Sequence, residues 1–146
     1  ENLRNAIQSI GLYRTKASNA MKMATLLAAN HGGQVPYSLE ALQKLPGVGL
    51  KTASVVANTL WREPLIAVDT HVFRVARRLG LSRATTPEKM AAELPRIIPA
   101  AFVQHAHHWL ILHGRYTCTA RNPACHRCPV DKMCHAAVKV TLKPCE

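Results

Sequence analysis

The sequence predicts an all-α protein, and three observations carry that expectation. Apolar residues recur at helical spacing in nearly every segment, no stretch alternates in the manner of a strand, and glycine or proline punctuates the chain at short intervals. With 146 residues and 48% apolar content, the chain can build a core without covalent staples, as one domain or two small ones.

The elements follow in order. Leu3, Ile7 and Ile10 fall on one helical face, with Gly11 placed to end it. Thr15 is positioned to cap a second helix that carries Ala17, Met21, Ala24 and Ala28 and stops at Gly32-Gly33. Ser38 starts a short third helix with Leu39, Leu42 and Leu45 on one side. Pro46-Gly47-Val48-Gly49 breaks it, and a fourth helix runs from about Lys51 to Leu60, sharing with the third a core of Leu42, Leu45, Val55 and Val56. An apolar connector, Leu65 to Val68, leads to Asp69, and Val72, Phe73, Val75, Ala76 and Leu79 continue at helical spacing to Gly80.

Thr86-Pro87-Glu88 combines a capping hydroxyl, proline at the first helical position and an acid at the positive dipole end, so it opens a helix that Pro95 should kink or end. After Pro99 a last long helix passes through Trp109 and Leu112 to Gly114. A division falls near residues 61 to 66. The chain begins at Glu1 rather than Met, inside an amphipathic pattern, and so reads as a fragment.

Charge narrows the function. Lys plus Arg number 19 against 8 Asp plus Glu, a formal net charge of +11 that favours polyanions, chiefly nucleic acid. A membrane partner is not expected, because the sequence has no apolar run of ~20 residues and no signal-peptide or lipidation pattern.

The stretch Leu45-Pro46-Gly47-Val48-Gly49-Leu50-Lys51-Thr52 is the first candidate site. Two glycines around one apolar residue let the backbone turn sharply and approach a ligand closely, with Val48 plugging the hairpin. The following helix presents its amides and positive dipole end, which makes a seat for phosphate. The spacing does not meet the Walker phosphate loop. An ammonium at Lys51 opposes the helix dipole, which favours the neutral, nucleophilic amine. Asp69 is both a routine helix cap and, as a carboxylate held by backbone amides, a group able to stabilise a cationic sugar or handle a proton.

Four of the five cysteines, Cys118, Cys125, Cys128 and Cys134, lie in one short loop, while Cys145 reads as a free thiol. Clustering of this kind points to metal ligation in a reducing, intracellular compartment. Only Cys125 and Cys128 form a two-residue-spaced knuckle, so zinc and an iron–sulfur cluster both remain open on spacing alone. His105, His107, His108 and His113 read as residues of a packed helix marked by Trp109, Leu110 and Leu112. Arg74, Arg77 and Arg78 share a helix face that suits either solvent or DNA.

Taken together, residues 45 to 56, Val68-Asp69-Thr70-His71, the run from His107 through Cys118 and the cysteine loop resemble the endonuclease III family of helix-hairpin-helix DNA glycosylases, in that family's order and spacing. The resemblance covers nearly the whole chain. It implies part of a six-helix barrel domain over 1–63, with the helix-hairpin-helix at about 39–60, and an iron–sulfur domain over 64–146 with its loop at 118–134. It implies a bifunctional base-excision repair enzyme that flips oxidised or ring-saturated pyrimidines out of double-stranded DNA. Lys51 sits at the nucleophile position, forming a Schiff base that leads to β-elimination, and Asp69 matches the catalytic aspartate.

The resemblance further implies a [4Fe-4S] cluster on the four loop cysteines, a role that is structural and electrostatic, and a monomer in the cytoplasm or nucleoid if bacterial. DNA contacts are expected from Pro46, Gly47, Val48, Gly49, Lys51 and Thr52, and from Arg115 and Arg121 beside the cysteines. Family members also carry a further N-terminal segment, which makes a non-catalytic iron–sulfur DNA-binding module, or an inactive fragment, the alternative for these 146 residues.

Overall fold

The computed structural model describes residues 2–136; Cys145 lies outside them. Seven α-helices and two 3₁₀ turns make up the regular structure of the described residues, and no strand occurs among them. The chain divides into two compact units, Glu1–Ala53 and Ser54–Glu146, with the helix α4 running through the division.

In the first unit, α1 spans Asn2–Ala6 and α2 spans Tyr13–His31. The expected first helix is shorter than its apolar pattern, because Ile10 finds no cover and stays 45% exposed. Thr15 does not cap α2; it lies inside the first turn. The helix starts instead after Leu12, which takes the left-handed conformation with φ 59°, and it lacks a side-chain cap. Gly32 ends α2 as expected, with φ 55° and its amide returning to the Leu27 carbonyl. Helix α3, Leu39–Gln43, begins at Ser38, whose Oγ accepts from the Ala41 amide at 3.0 Å. Leu42 and Leu45 bury fully, each contributing about 1.5–3 kcal/mol of apolar transfer.

Helix α4 spans Leu50–Trp61. Its buried face is made by Ala53, Ser54, Ala57 and Asn58, whereas Val55 and Val56 are only half-buried. The expected valine core is thereby corrected: alanine, serine and asparagine positions, not the two valines, take the buried face of this helix. Arg62 ends α4 with φ 57°, and the buried Asn58 side chain donates to the carbonyls of Glu63 at 3.0 Å and Leu65 at 3.1 Å. Gln104 in turn donates to the Asn58 carbonyl at 3.0 Å. These bonds hold the irregular connector that delivers the chain to Asp69.

The second unit is built on α5 (Thr70–Leu79), α6 (Pro87–Ile97) and α7 (Ala100–Tyr116). Ile66, Val68, Val72, Val75, Ala76, Met90, Leu94, Val103, Ala106 and Leu110 form its core. Thr86 caps α6 through Oγ1, as expected. Pro95 does not stop that helix at once: Leu94 is fully buried ahead of it, and the Ile98 amide still reaches the Leu94 carbonyl at 2.9 Å, so only one backbone bond is forfeited. Gly114 lets α7 lie close to α5, since a Cβ there would meet Val75 Cγ2 at 3.1 Å and His71 Cβ at 3.0 Å.

Candidate active site and cysteine loop

The hairpin between α3 and α4 turns through two short backbone bonds, Leu45 N–H to the Leu42 carbonyl and Val48 N–H to the Leu45 carbonyl, both 3.1 Å. Its two glycines serve different needs. Gly47 takes φ 80°, and a Cβ at this position would stand 2.9 Å from Asn19 Nδ2 and 3.1 Å from Asn19 Cβ. Gly49 has no left-handed φ, and a Cβ there would meet nothing within 4 Å. Folding therefore requires the first glycine, while the second leaves bare backbone open to whatever approaches from outside.

Ala53 N–H closes the first turn of α4 on the Gly49 carbonyl at 2.9 Å, which places Lys51 and Thr52 in that turn, both exposed. Pro46 and Val48 are half-buried, so Val48 plugs the hairpin only in part. The first amides of any helix lack partners inside it, and the dipole favours an anion there.

Asp69 caps α5 in the second unit. Its Oδ1 accepts from the His71 amide at 2.9 Å and the Val72 amide at 2.8 Å, which fixes the carboxylate's orientation. The carboxylate is half-exposed rather than sealed in the core.

Four and eight positions after Thr70, two arginines of the same helix fasten the cysteine loop. Arg74 donates to the Gly114 carbonyl at 2.8 Å and to the Cys118 carbonyl at 3.1 Å. Arg78 donates to Cys118 Sγ at 3.3 Å and to the carbonyls of Thr119 at 2.7 Å and Ala120 at 3.0 Å. The expectation of a solvated or DNA-facing arginine row is corrected for these two: partners brought from forty or more positions away occupy both guanidiniums. Arg77 alone stays exposed, its guanidinium 5.6 Å from the Phe73 ring centroid.

Within the loop, Cys125–Arg127 and Asp131–Met133 form single 3₁₀ turns that carry the chain past its second, third and fourth cysteines. Thr119 Oγ1 donates to the Asn122 carbonyl at 2.6 Å, and the Ala124 amide reaches back to the Thr117 carbonyl at 2.8 Å. All four thiols are free and half-buried. Among the described residues no group of three or more His, Cys, Asp or Glu forms a compact site for a single metal ion. Four thiols distributed along one wrapped loop suit a cubane, which takes one thiolate at each iron. Arg121 and Arg127 in the loop, and Arg115 before it, point their charge to solvent as exposed residues.

The histidines separate. His107 is buried with Nδ1 2.7 Å from the Ala67 carbonyl, a structural bond between α7 and the connector. His113 is half-buried, burial holds its pKa below the usual imidazole range, and its Nε2 lies 3.8 Å from Cys128 Sγ. His105 and His108 are exposed. Trp109 and Leu112 do not mark a packed face, for they are 52% and 50% exposed, and the Trp109 ring instead lies tilted against that of the exposed Phe102, centroids 6.0 Å apart.

Known proteins share this arrangement. The profile of HhH-GPD superfamily base excision DNA repair proteins matches residues 1–100, and that of the iron–sulfur binding domain of endonuclease III matches residues 118–134. Endonuclease III of Escherichia coli K12 is 46% identical over 142 residues, which cover 97% of this chain and 67% of that protein. The chain belongs to the endonuclease III family.

Endonuclease III of Rickettsia conorii is 52% identical over 134 residues, 92% of this chain and 64% of its own length, so the chain spans about two thirds of such relatives. A trapped covalent intermediate of endonuclease III with DNA superposes with a TM-score of 0.83 at 44% identity, over 91% of this chain and 63% of that one. The match of residues 118–134 to an iron–sulfur binding domain decides between zinc and iron: the loop holds a [4Fe-4S] cluster. Among the described residues no helix is long and apolar enough to cross a membrane.

Proposed function

We propose that the chain acts in base-excision repair as a DNA glycosylase with abasic-site lyase activity on oxidised pyrimidines in double-stranded DNA. The observation that carries this reading is the placement of Lys51, exposed on the first turn of α4 directly behind the open backbone of Gly49. A phosphate seated on the hairpin amides of Gly47 to Thr52 holds the strand so that a flipped nucleotide presents its C1′ to the lysine. The Lys51 amine attacks C1′, the base departs with a proton, and the resulting Schiff base allows β-elimination to break the 3′ C–O bond. Asp69, oriented by its two amide bonds, has the role of stabilising the positive charge that develops on the sugar.

The cluster supplies rigidity and charge rather than reaction chemistry. Cys118, Cys125, Cys128 and Cys134 hold it, and the exposed Arg115 and Arg121 meet DNA phosphates from the fixed loop. Four cysteines clustered as ligands in one short loop also suit a reducing, intracellular setting. Borohydride reduction in the presence of a duplex bearing an abasic site tests the reading. The intact protein should give a covalent adduct that Lys51→Ala abolishes without loss of DNA binding. Binding with no adduct from the unsubstituted protein would leave a DNA-binding module instead.

A further inference from the structure

One residue of α5 grips both ends of the cysteine loop. At the entry, the Arg78 guanidinium donates Nη1–H to Cys118 Sγ at 3.3 Å and to the Thr119 carbonyl at 2.7 Å, and Nη2–H to the Ala120 carbonyl at 3.0 Å. At the exit, the main-chain carbonyl of Arg78 accepts from the His135 amide at 3.0 Å and from the Cys134 thiol at 3.4 Å. The thiol bond belongs to the metal-free side chain, since a cluster-bound thiolate has no proton to donate; the His135 amide bond persists with the cluster in place. Gly80 makes room for that exit, because a Cβ there would lie 2.5 Å from His135 Nδ1.

The entry contact differs in kind. A guanidinium remains charged at every relevant pH and offers five donors in a fixed fork, so its N–H directed at Cys118 Sγ survives when the thiol becomes a thiolate and strengthens with the charge. Hydrogen bonds to cluster sulfurs and nearby charge set how readily the cluster accepts an electron. A cation donating to one ligand sulfur stabilises the reduced state, which carries one more negative charge, and withholds that sulfur from oxidants.

We propose that Arg78 is a positioning residue for the [4Fe-4S] cluster, fixing the Cys118 thiolate through a cationic N–H···S bond that raises the cluster's reduction potential and protects this ligand from loss. The proposal concerns the cluster and stands apart from the reaction on DNA.

Cluster-loaded protein would be titrated potentiometrically with dithionite and redox mediators, the cluster taking one electron, and bleaching of the visible thiolate-to-iron absorption would be timed in air. Arg78→Met should shift the midpoint to a more negative potential and bleach several-fold faster than the unsubstituted protein. Arg78→Gln keeps a donor without the charge and should fall between the two. Arg77→Met removes the neighbouring exposed guanidinium and should follow the unsubstituted protein. An unchanged midpoint and bleaching rate in Arg78→Met overturns the proposal. Should Arg78→Met fail to take up iron and sulfide, Arg78→Gln decides, and an unchanged midpoint there overturns it equally.

Discussion

The α3–α4 hairpin and the cysteine loop are both irregular, glycine- or proline-bearing segments, yet they use their polar groups in opposite ways. The hairpin spends little on itself: two 3.1 Å turn bonds, one glycine forced by the left-handed backbone and a second with empty space around it. The cysteine loop turns inward, with Arg74 and Arg78 on its entry, the Thr119 and Ala124 bonds within it and the His135 amide at its exit. An irregular segment that leaves backbone uncommitted is prepared for an outside ligand. One that draws many of its carbonyls into bonds with its own protein is prepared to hold something rigid, and its exposed arginines remain for an outside partner.

If the second unit carries reaction chemistry of its own, Asp69 is where that would show. Asparagine caps a helix as well as aspartate does, so Asp69→Asn should leave thermal stability within a few tenths of a kcal/mol, whereas Asp69→Ala costs about 1 kcal/mol. Loss of the charge that stabilises the sugar cation should lower the borohydride trapping rate by about 100-fold or more in both variants. A wild-type trapping rate in Asp69→Asn would reduce Asp69 to a cap and confine the chemistry to the first unit.

The two hairpin glycines sharpen the same contrast at smaller cost. Gly47→Ala puts a side chain at φ 80° against Asn19 and should destabilise the protein by about 1–3 kcal/mol, read as a lower melting temperature. Gly49→Ala enters open space, so the melting temperature should move by less than for Gly47→Ala while affinity for duplex DNA falls. If both variants lose stability equally and neither loses affinity, the hairpin is a turn and nothing more.

Legibility of these features in the sequence follows from how local their causes are. Helix α5 could be read end to end because a capping acid, an apolar period and a terminal glycine agree within a dozen positions, and Asp69 and Gly80 stand where they were expected. Ser38 and Thr86 were legible for the same reason. The start of α2 was not, since Leu12 enters it in a left-handed conformation with no side-chain cap to signal the boundary. Helical period alone does not say which face of α4 is covered, and it is Ala53, Ser54 and Ala57 that are buried there rather than the valines. Least visible were Arg74 and Arg78, whose partners lie 40 to 44 positions away. Their four-residue spacing on the helix beside a cysteine loop is the one local sign, and it equally describes a solvated face. The candidate nucleophile and the cysteines announce themselves by residue type and spacing, whereas the brackets that hold them do not.

The smallest effect tests whether the inward-turned loop still reaches outward through its charges. Arg121 is exposed between the first two cysteines and makes the case cleanly, because its removal leaves the bonds of Arg74 and Arg78 in place. If it meets a phosphate, Arg121→Ala should weaken binding to damaged and undamaged duplexes alike. The dependence of log affinity on log salt should flatten by about 0.9, the value for one released counterion. The visible cluster absorption should be unchanged, since no ligand cysteine depends on this side chain. An unaltered salt slope in Arg121→Ala, with Arg115→Ala also unaltered, would make the loop a fixture for the cluster alone and leave phosphate recognition to the hairpin.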